Sequence, residues 1–187
     1  TNFSLVLTKQ DLSGNFKWVK AFEPAPGEQS SVKGYALASD DSCNIFLAGY
    51  WNFGKATFDG VVYDATDATF LAKLDSSGQL KWIKIIESQP YFFTRMGLDI
   101  APNGDILFCS EYRGTVSFDG VNSVTSNNDS YDVFAAVYNS DGSLKWVKTF
   151  GGPKDDRGND AKFDSGGNIL MIGTFEDSIS FGSNNLA

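Results

Sequence analysis

The chain has 187 residues, 42% of them hydrophobic and 14% aromatic, which is enough apolar material to bury a core. Its net charge of −8 argues against a nucleic-acid partner, because an acidic surface repels phosphate groups. The absence of histidine excludes a Ser-His-Asp triad and His-ligated zinc, and no segment has the roughly 20 consecutive apolar residues of a membrane span. We therefore expect a globular protein that is not an enzyme, binds no nucleic acid and does not insert into a membrane.

One hairpin pattern recurs three times, each time as a glycine turn followed by Lys-Trp-Val-Lys or Lys-Trp-Ile-Lys. The copies cover residues 10–20, 74–84 and 138–148. Their tryptophans are 64 residues apart, at Trp18, Trp82 and Trp146, and a glycine stands four residues before each. Glycine supplies the positive φ that tight hairpin turns need, so each copy is predicted to contain two antiparallel strands.

Two further blocks recur with the hairpin. The second block is an apolar run after a polar turn, at residues 44–49, 105–110 and 168–173, and the third ends in Phe-Asp-Gly or Phe-Gly, at residues 56–60, 116–120 and 179–182. Runs such as Ile45–Ala48 and Phe134–Val137 are apolar on consecutive residues, which is typical of strands buried on both faces. The lysines that flank Trp82 suit an outermost strand, because charge discourages edge-to-edge aggregation.

These patterns predict an all-β fold with four strands per unit and little helix. The predicted architecture is a single β-propeller segment over residues 1–187, with blade-like repeats at about 3–66, 67–130 and 131–187. Propellers need about four to eight blades to close, and three are too few. We therefore expect a longer parent chain or associating copies to complete the ring, and two copies would supply six blades.

Four segments form a longer pattern, namely Phe70–Asp75, Leu80–Lys84, Gly151–Gly152 and Gly167–Gly173. In this order they resemble the SBBP family, a β-propeller repeat of large secreted and cell-surface proteins. The Gly-Gly pair has no counterpart in the other two repeats, so the resemblance is incomplete there. It implies a propeller fold and an extracellular or cell-surface location, and it brings no catalytic residues.

An aromatic loop between two predicted blades is the main candidate for ligand binding. Its residues Tyr91, Phe92 and Phe93 could stack on a sugar or anchor a protein partner. Trp51 and Tyr112 end their strands at equivalent places and could extend that surface. The alternative is structural, with the loop filling the junction between blades and the other two rings packing at the rim.

Acidic residues of the third repeat are the candidate for a metal site. Asp155, Asp156, Asp160 and Asp164 could supply oxygen ligands to Ca²⁺, although they lack EF-hand spacing. Paired carboxylates could also serve a glycosidase, but nothing in the repeats singles out a pair. We therefore expect no cofactor, with Ca²⁺ as the alternative.

Two asparagines, Asn2 and Asn128, lie in N-glycosylation sequons. In a eukaryote these would favour a secreted protein, and the second lies in a polar loop that would accommodate a glycan. Cys43 and Cys109 fall at non-equivalent points of their repeats, so a disulfide between them has no pattern behind it.

The leading hypothesis is a non-enzymatic, extracellular or cell-surface propeller module that acts in protein interaction, adhesion or structural assembly. Its partners would be a protein or further blades of the same or another chain. Two alternatives remain open, a carbohydrate-binding propeller and an accessory propeller of a secreted hydrolase.

Overall fold

The computed structural model describes residues 2–65, 68–89 and 95–187, which form several antiparallel sheets and no α-helix. The strands are β1 (Leu5–Gln10), β2 (Phe16–Pro24), β3 (Ser31–Ser39), β4 (Ile45–Asn52), β5 (Ala56–Phe58), β6 (Val61–Tyr63), β7 (Ala68–Leu74), β8 (Leu80–Gln89), β9 (Met96–Ile100), β10 (Ile106–Tyr112), β11 (Thr115–Ser117), β12 (Ser123–Thr125), β13 (Asp132–Tyr138), β14 (Leu144–Phe150), β15 (Asp156–Phe163), β16 (Ile169–Phe175), β17 (Ile179–Phe181) and β18 (Asn184–Leu186). A 3₁₀ turn covers Asn127–Asp129. Over these ranges, no helix has the length and apolar character that a membrane crossing requires.

Two complete four-stranded meanders form the centre of the molecule. We call β3-β4-β7-β8 unit 2 and β9-β10-β13-β14 unit 3, in order of pairing. The predicted glycine turns join their third and fourth strands, and Gly78 and Gly142 both have φ +82°. In unit 3, Phe134–Val137 is at most 3% exposed, which confirms that this strand is buried on both faces.

Half of a meander lies on each side of these two units. Unit 1 is the pair β1–β2 and unit 4 is the pair β15–β16. The pairing of β1 with β2 has a β-bulge at Lys9/Gln10, where the third and fourth strands of the complete units have theirs, at Lys73/Leu74 and Val137/Tyr138. Unit 1 therefore consists of a third and a fourth strand, and unit 4 consists of a first and a second strand.

Short hairpins connect neighbouring units, and they are built from the third recurring block. In β5–β6 the turn residues Asp59 and Gly60 both have positive φ, as a two-residue hairpin loop requires. Each linking hairpin follows the second strand of its own unit and reaches the fourth strand of the unit before it, since β5 pairs with β2 and β11 pairs with β8. For β17–β18 the connection is a bridge between Gly151 and Ser180. In the fourth strand of unit 2, Lys81–Lys84 lies at the edge of the sheet, as predicted, and pairs with β7 on one side. Further along the same strand, Glu87–Gln89 also pairs with β11 of the next unit.

The core lies between successive units. The first strands contact one another in series, with β9 between β3 and β15. One apolar cluster joins units 1 and 2 and another joins units 2 and 3, and both contain phenylalanines from a linking hairpin and from a third strand. The cluster between units 3 and 4 is smaller, with buried residues Leu107, Cys109, Ala135, Val137 and Ala161.

Candidate interaction surfaces

The repeated tryptophans connect each unit to the next. Trp18 Nε1 donates a hydrogen bond to the carbonyl of Ser76 at 3.3 Å, and Trp82 Nε1 donates to the carbonyl of Ser140 at 3.4 Å. Both acceptors lie in the glycine turn of the following unit. We call this contact of a tryptophan with the next glycine turn the Trp latch, and it gives the sequence repeat a structural reason.

The latch depends on glycine, because the indole ring lies against the turn. A Cβ at Gly78 would lie 3.2 Å from the ring of Trp18, and a Cβ at Gly142 would lie 3.2 Å from the ring of Trp82. Gly14 has the same φ of +82°, but a Cβ there would meet nothing within 4 Å. Within the described residues, no turn between a third and a fourth strand follows Trp146. The turn of unit 1 and the tryptophan of unit 3 therefore take part in no Trp latch.

A phenylalanine of the third strand fills the space beside each complete unit. In unit 3, the ring of Phe134 lies 5.3 Å from that of Phe108, 6.0 Å from that of Tyr112 and 4.9 Å from that of Phe118, between ring centroids. In unit 2, Phe70 has the corresponding position. Both phenylalanines are completely buried, and their packing is edge-to-face or tilted, as aromatic clusters favour.

Unit 4 leaves the corresponding space open. A cavity of about 240 Å³ is lined by Met171, Phe175 and Phe181, which occupy the repeat positions of the three residues around Phe134. We call this cavity the slot. Leu170 and Ile172 on the same strand are 61% and 64% exposed, whereas every residue of the equivalent β10 is buried.

The edge of unit 1 has the opposite character. Val6 stands at the repeat position of Phe70 and Phe134, but it is 65% exposed because β1 has no second strand beside it. Next to it, an open groove between β1 and β3 exposes Tyr35 and Leu37. Units 1 and 4 therefore expose the two complementary halves of the surface that is buried inside units 2 and 3.

Two buried carboxyl groups lie where units 3 and 4 meet. Asp132 Oδ2 accepts hydrogen bonds from the backbone and side-chain amides of Asn127, and Asp156 Oδ2 accepts one from the amide of Gly152 at 2.6 Å. The Oδ1 atom of each has no hydrogen-bond partner among the described residues. Burial, with a contribution from Asp156, raises the pKa of Asp132 to about 6, and burial also raises the pKa of Asp156.

The arginine that follows Asp156 in the sequence pairs with other carboxylates. Arg157 pairs with the buried Glu111 at 3.2 Å and with Asp155 at 2.9 Å, and its guanidinium lies over the ring of Tyr131. Sequence reasoning missed the buried carboxyl pair. A signal was present in the repeat, because Ala68 stands at the position of Asp132 in the preceding unit.

The predicted aromatic site divides into two parts. Tyr91, Phe92 and Phe93 lie outside the described residues. Trp51 and Tyr112 are 0% and 1% exposed, and Trp51 Nε1 donates a hydrogen bond to the carbonyl of Ala65. For Trp51 and Tyr112 the structural alternative, packing at the rim, agrees with this burial. The linking hairpins cover the strand ends, so neither ring is free to stack on a ligand.

The four predicted calcium ligands do not form a cluster. Asp160 Oδ1 accepts from the amide of Ala161, and Asp164 organises its own turn by accepting from Gly166 and Asn168. Across the ranges that the structure describes, no group of three or more His, Cys, Asp or Glu side chains is placed to hold a metal ion.

The sequon asparagines and the cysteines occupy different environments. Asn2 and Asn128 are both exposed, and Asn128 lies in the 3₁₀ turn. Cys43 is exposed, whereas Cys109 is buried, and both are free thiols. Burial raises the pKa of Cys109 to about 11, which makes it an unreactive core residue.

No family model and no curated protein matches the sequence. The functional argument therefore rests on the internal repeat and on its geometry.

Proposed function

We propose that units 1 to 4 are blades of a β-propeller, and that the chain is a non-enzymatic module for protein interaction whose two open sheet edges pair with strands of the same or another chain. The radial arrangement is supported by the first strands β3, β9 and β15, which contact one another in series. It is also supported by the Trp latches, which join unit 1 to unit 2 and unit 2 to unit 3 at the same distance along the sequence. Kinship with SBBP repeats is part of this proposal and rests on the residue pattern.

The slot is the observation that carries the functional proposal. Its wall is formed by Met171, Phe175 and Phe181, and the two complete units fill the same space with a phenylalanine from a neighbouring strand. A strand that adds to the β16 edge would gain main-chain hydrogen bonds and insert one apolar side chain into the slot. This is the β-augmentation mode of protein recognition.

The non-enzymatic part of the proposal rests on the chemistry of the chain. The sequence has no histidine. The carboxyl groups with raised pKa values, Asp132 and Asp156, are 1% and 0% exposed, so they touch no substrate in this conformation. Both carboxyl groups are buried at the contact between units 3 and 4.

An extracellular or cell-surface location is proposed together with the interaction role. It rests on the SBBP resemblance and on the exposed sequon asparagines Asn2 and Asn128. No observation in the described residues supports carbohydrate binding, because Trp51 and Tyr112 are buried.

Peptide binding tests the proposal directly. The probe is a synthetic peptide of residues 68–84, which form a third and a fourth strand in unit 2, presented to chain immobilised at low density. We expect saturable binding, weakened at least about tenfold by Phe70→Asp in the peptide or Ile172→Asp in the chain. Val121→Asp is the matched control, because Val121 is 87% exposed in the turn of a linking hairpin. Equal binding of the normal and the Phe70→Asp peptide would refute the proposal.

A further inference from the structure

Four residues at the contact between units 3 and 4 differ in kind from the residues at the corresponding positions of unit 2. They are Asp132, Gly151, Gly152 and Asp156, and unit 2 has Ala68, Glu87, Ser88 and Val32 instead. In unit 2 the carboxyl group is on the fourth strand, where Glu87 is exposed, and faces the buried Ala68 of the third strand. In unit 3 the acidic and the small residue are exchanged, which moves a carboxyl group from the surface into the interior.

The two glycines make room for the carboxyl groups. A Cβ at Gly151 would collide with the carboxyl group of Asp132, and a Cβ at Gly152 would collide with the carbonyl of Ser178. The amide of Gly152 donates a hydrogen bond to Asp156 Oδ2 at 2.6 Å. Both carboxyl groups therefore contact the same dipeptide, and the Gly-Gly pair that distinguishes the third repeat belongs to this contact.

Neither Asp132 nor Asp156 forms an ion pair within the described residues. The basic side chains of the surrounding segments pair with other acids, namely Arg157 with Glu111 and Asp155, Lys154 with Glu176, and Arg113 with Asp129. The Oδ1 atoms of Asp132 and Asp156 also lack a hydrogen-bond partner. Two buried negative charges without a cation are unfavourable, so the closed contact favours the binding of a proton.

The other titratable groups around the pair add to this preference. Burial, together with the charges of Asp155 and Glu176, raises the pKa of Asp156. Tyr112 is also affected by the charge of Asp132, but burial raises the pKa of Tyr112, so this side chain stays neutral.

The pair is placed to act on the backbone contact between the two units. The amide of Asp156, at the start of β15, donates a hydrogen bond to the carbonyl of Tyr131 at 2.6 Å, and Tyr131 directly precedes Asp132. The two carboxyl groups thus belong to residues that flank the hydrogen bond joining unit 4 to unit 3.

We propose that Asp132 and Asp156 form a pH switch, in which a proton bound at Asp132 holds unit 4 against unit 3 and its release loosens the contact. This inference goes beyond the proposed function, because the switch regulates a contact inside the chain and needs no partner. Opening exposes both groups to water, where they ionise more readily, so rising pH favours the open contact. The pKa of Asp132, raised by burial from 3.8 to about 6, places the change between about pH 4 and 6.

Amide hydrogen exchange of the whole chain, followed by mass spectrometry at pH 4.5 and pH 7.0, tests the switch. The protection of β15 in unit 4 is compared with that of β4 in unit 2 of the same molecule, after correction for the intrinsic exchange rate at each pH. We expect the opening equilibrium of β15 to rise at least about tenfold relative to that of β4 between the two pH values.

Three variants locate the proton. In Asp132→Asn, which keeps the shape of the side chain but cannot ionise, the opening of β15 relative to β4 should change less than about twofold with pH. Asp132→Ala, which introduces the residue of unit 2, should behave in the same way and covers the case that asparagine packs poorly. Asp164→Asn, in an exposed turn of unit 4, should keep the wild-type response, because hydrogen bonds from Asn168 lower the pKa of Asp164.

Two results would overturn the switch. One is a wild-type chain in which β15 and β4 respond equally to pH, and the other is a tenfold response that persists in both Asp132 variants. Peptide binding plays no part in these measurements, so failure of the switch leaves the proposed interaction role standing, and failure of peptide binding leaves the switch standing.

Discussion

The interface between units 2 and 3 differs from the interface between units 3 and 4, although the backbone of both follows the same repeat. The first contains a third-strand phenylalanine, Phe134, surrounded by three aromatic rings. The second lacks that residue, and the slot is open. The comparison shows that the space between two units is filled where the later unit contributes a third strand with its phenylalanine, and is open in unit 4, which consists of β15–β16.

The contact between units 3 and 4 also differs from the contact between units 1 and 2 in the charged groups that it buries. The amide of Val32 donates to the carbonyl of Phe3 where units 1 and 2 meet, and the amide of Asp156 donates to the carbonyl of Tyr131 where units 3 and 4 meet. Val32 and Asp156 take equivalent positions in their units. The same backbone hydrogen bond is therefore kept, while the apolar side chain of Val32 is replaced by the carboxyl group of Asp156. Together with Asp132, this carboxyl makes the contact of unit 4 sensitive to pH.

The largest expected effect comes from emptying the filled interface. Phe134→Ala should lower the free energy of unfolding by about 3–5 kcal/mol, because it leaves a cavity among fully buried rings. Val6→Ala, at the equivalent position of unit 1, should change it by less than about 0.5 kcal/mol, because Val6 is 65% exposed. Urea unfolding of both variants checks this, and equal losses would contradict the comparison.

The buried carboxyl pair predicts a pH effect of intermediate size. The pKa of Asp132 is raised from its ordinary value of 3.8 to about 6, so its contribution to stability is fully present below 3.8 and is lost as the pH rises through 6. Asp132→Asn removes the charge whose burial raises the pKa of Asp132 and which Asp156 otherwise repels. We expect the variant to be more stable than the wild type by about 1–2 kcal/mol at neutral pH.

The slope of stability with pH gives the control for this experiment. Wild-type stability should fall between about pH 4 and 6, and the fall should be smaller in Asp132→Asn. Asp164→Asn should keep the wild-type fall, because hydrogen bonds from Asn168 and Gly166 lower the pKa of Asp164 and place its titration below this range. An unchanged slope in Asp132→Asn would show that the buried pair is not the source of the pH dependence.

The strands could be predicted from the sequence because they depend on local patterns, namely apolar runs and glycine turns. The constant spacing of the tryptophans and turn glycines was visible too, but the Trp latch itself was not predicted, because it joins residues 58 positions apart. The partner of the third block could not be predicted in this way. Its strands pair with a different unit, and short segments such as Ala56–Phe58 carry no mark of which strand they will meet.

The environments of single side chains were harder to predict. Trp51 and Tyr112 end their strands, a position that left both a ligand surface and rim packing open, and the linking hairpins bury both. The raised pKa of Asp132 depends on the loop that holds Asn127 and on the approach of Asp156 from the next unit. Such contacts arise from packing between units, which periodicity along one strand does not encode.

The smallest expected effect compares two glycines with the same backbone conformation. Gly14 and Gly142 both have φ +82°, so replacing either by alanine should cost about 1 kcal/mol for the left-handed conformation alone. At Gly142 the added methyl group would also meet Lys84 Cε at 2.6 Å and the ring of Trp82 at 3.2 Å, so Gly142→Ala should cost about 1 kcal/mol more than Gly14→Ala. Urea unfolding at low chain concentration measures this difference, and equal losses would show that the latch contributes little.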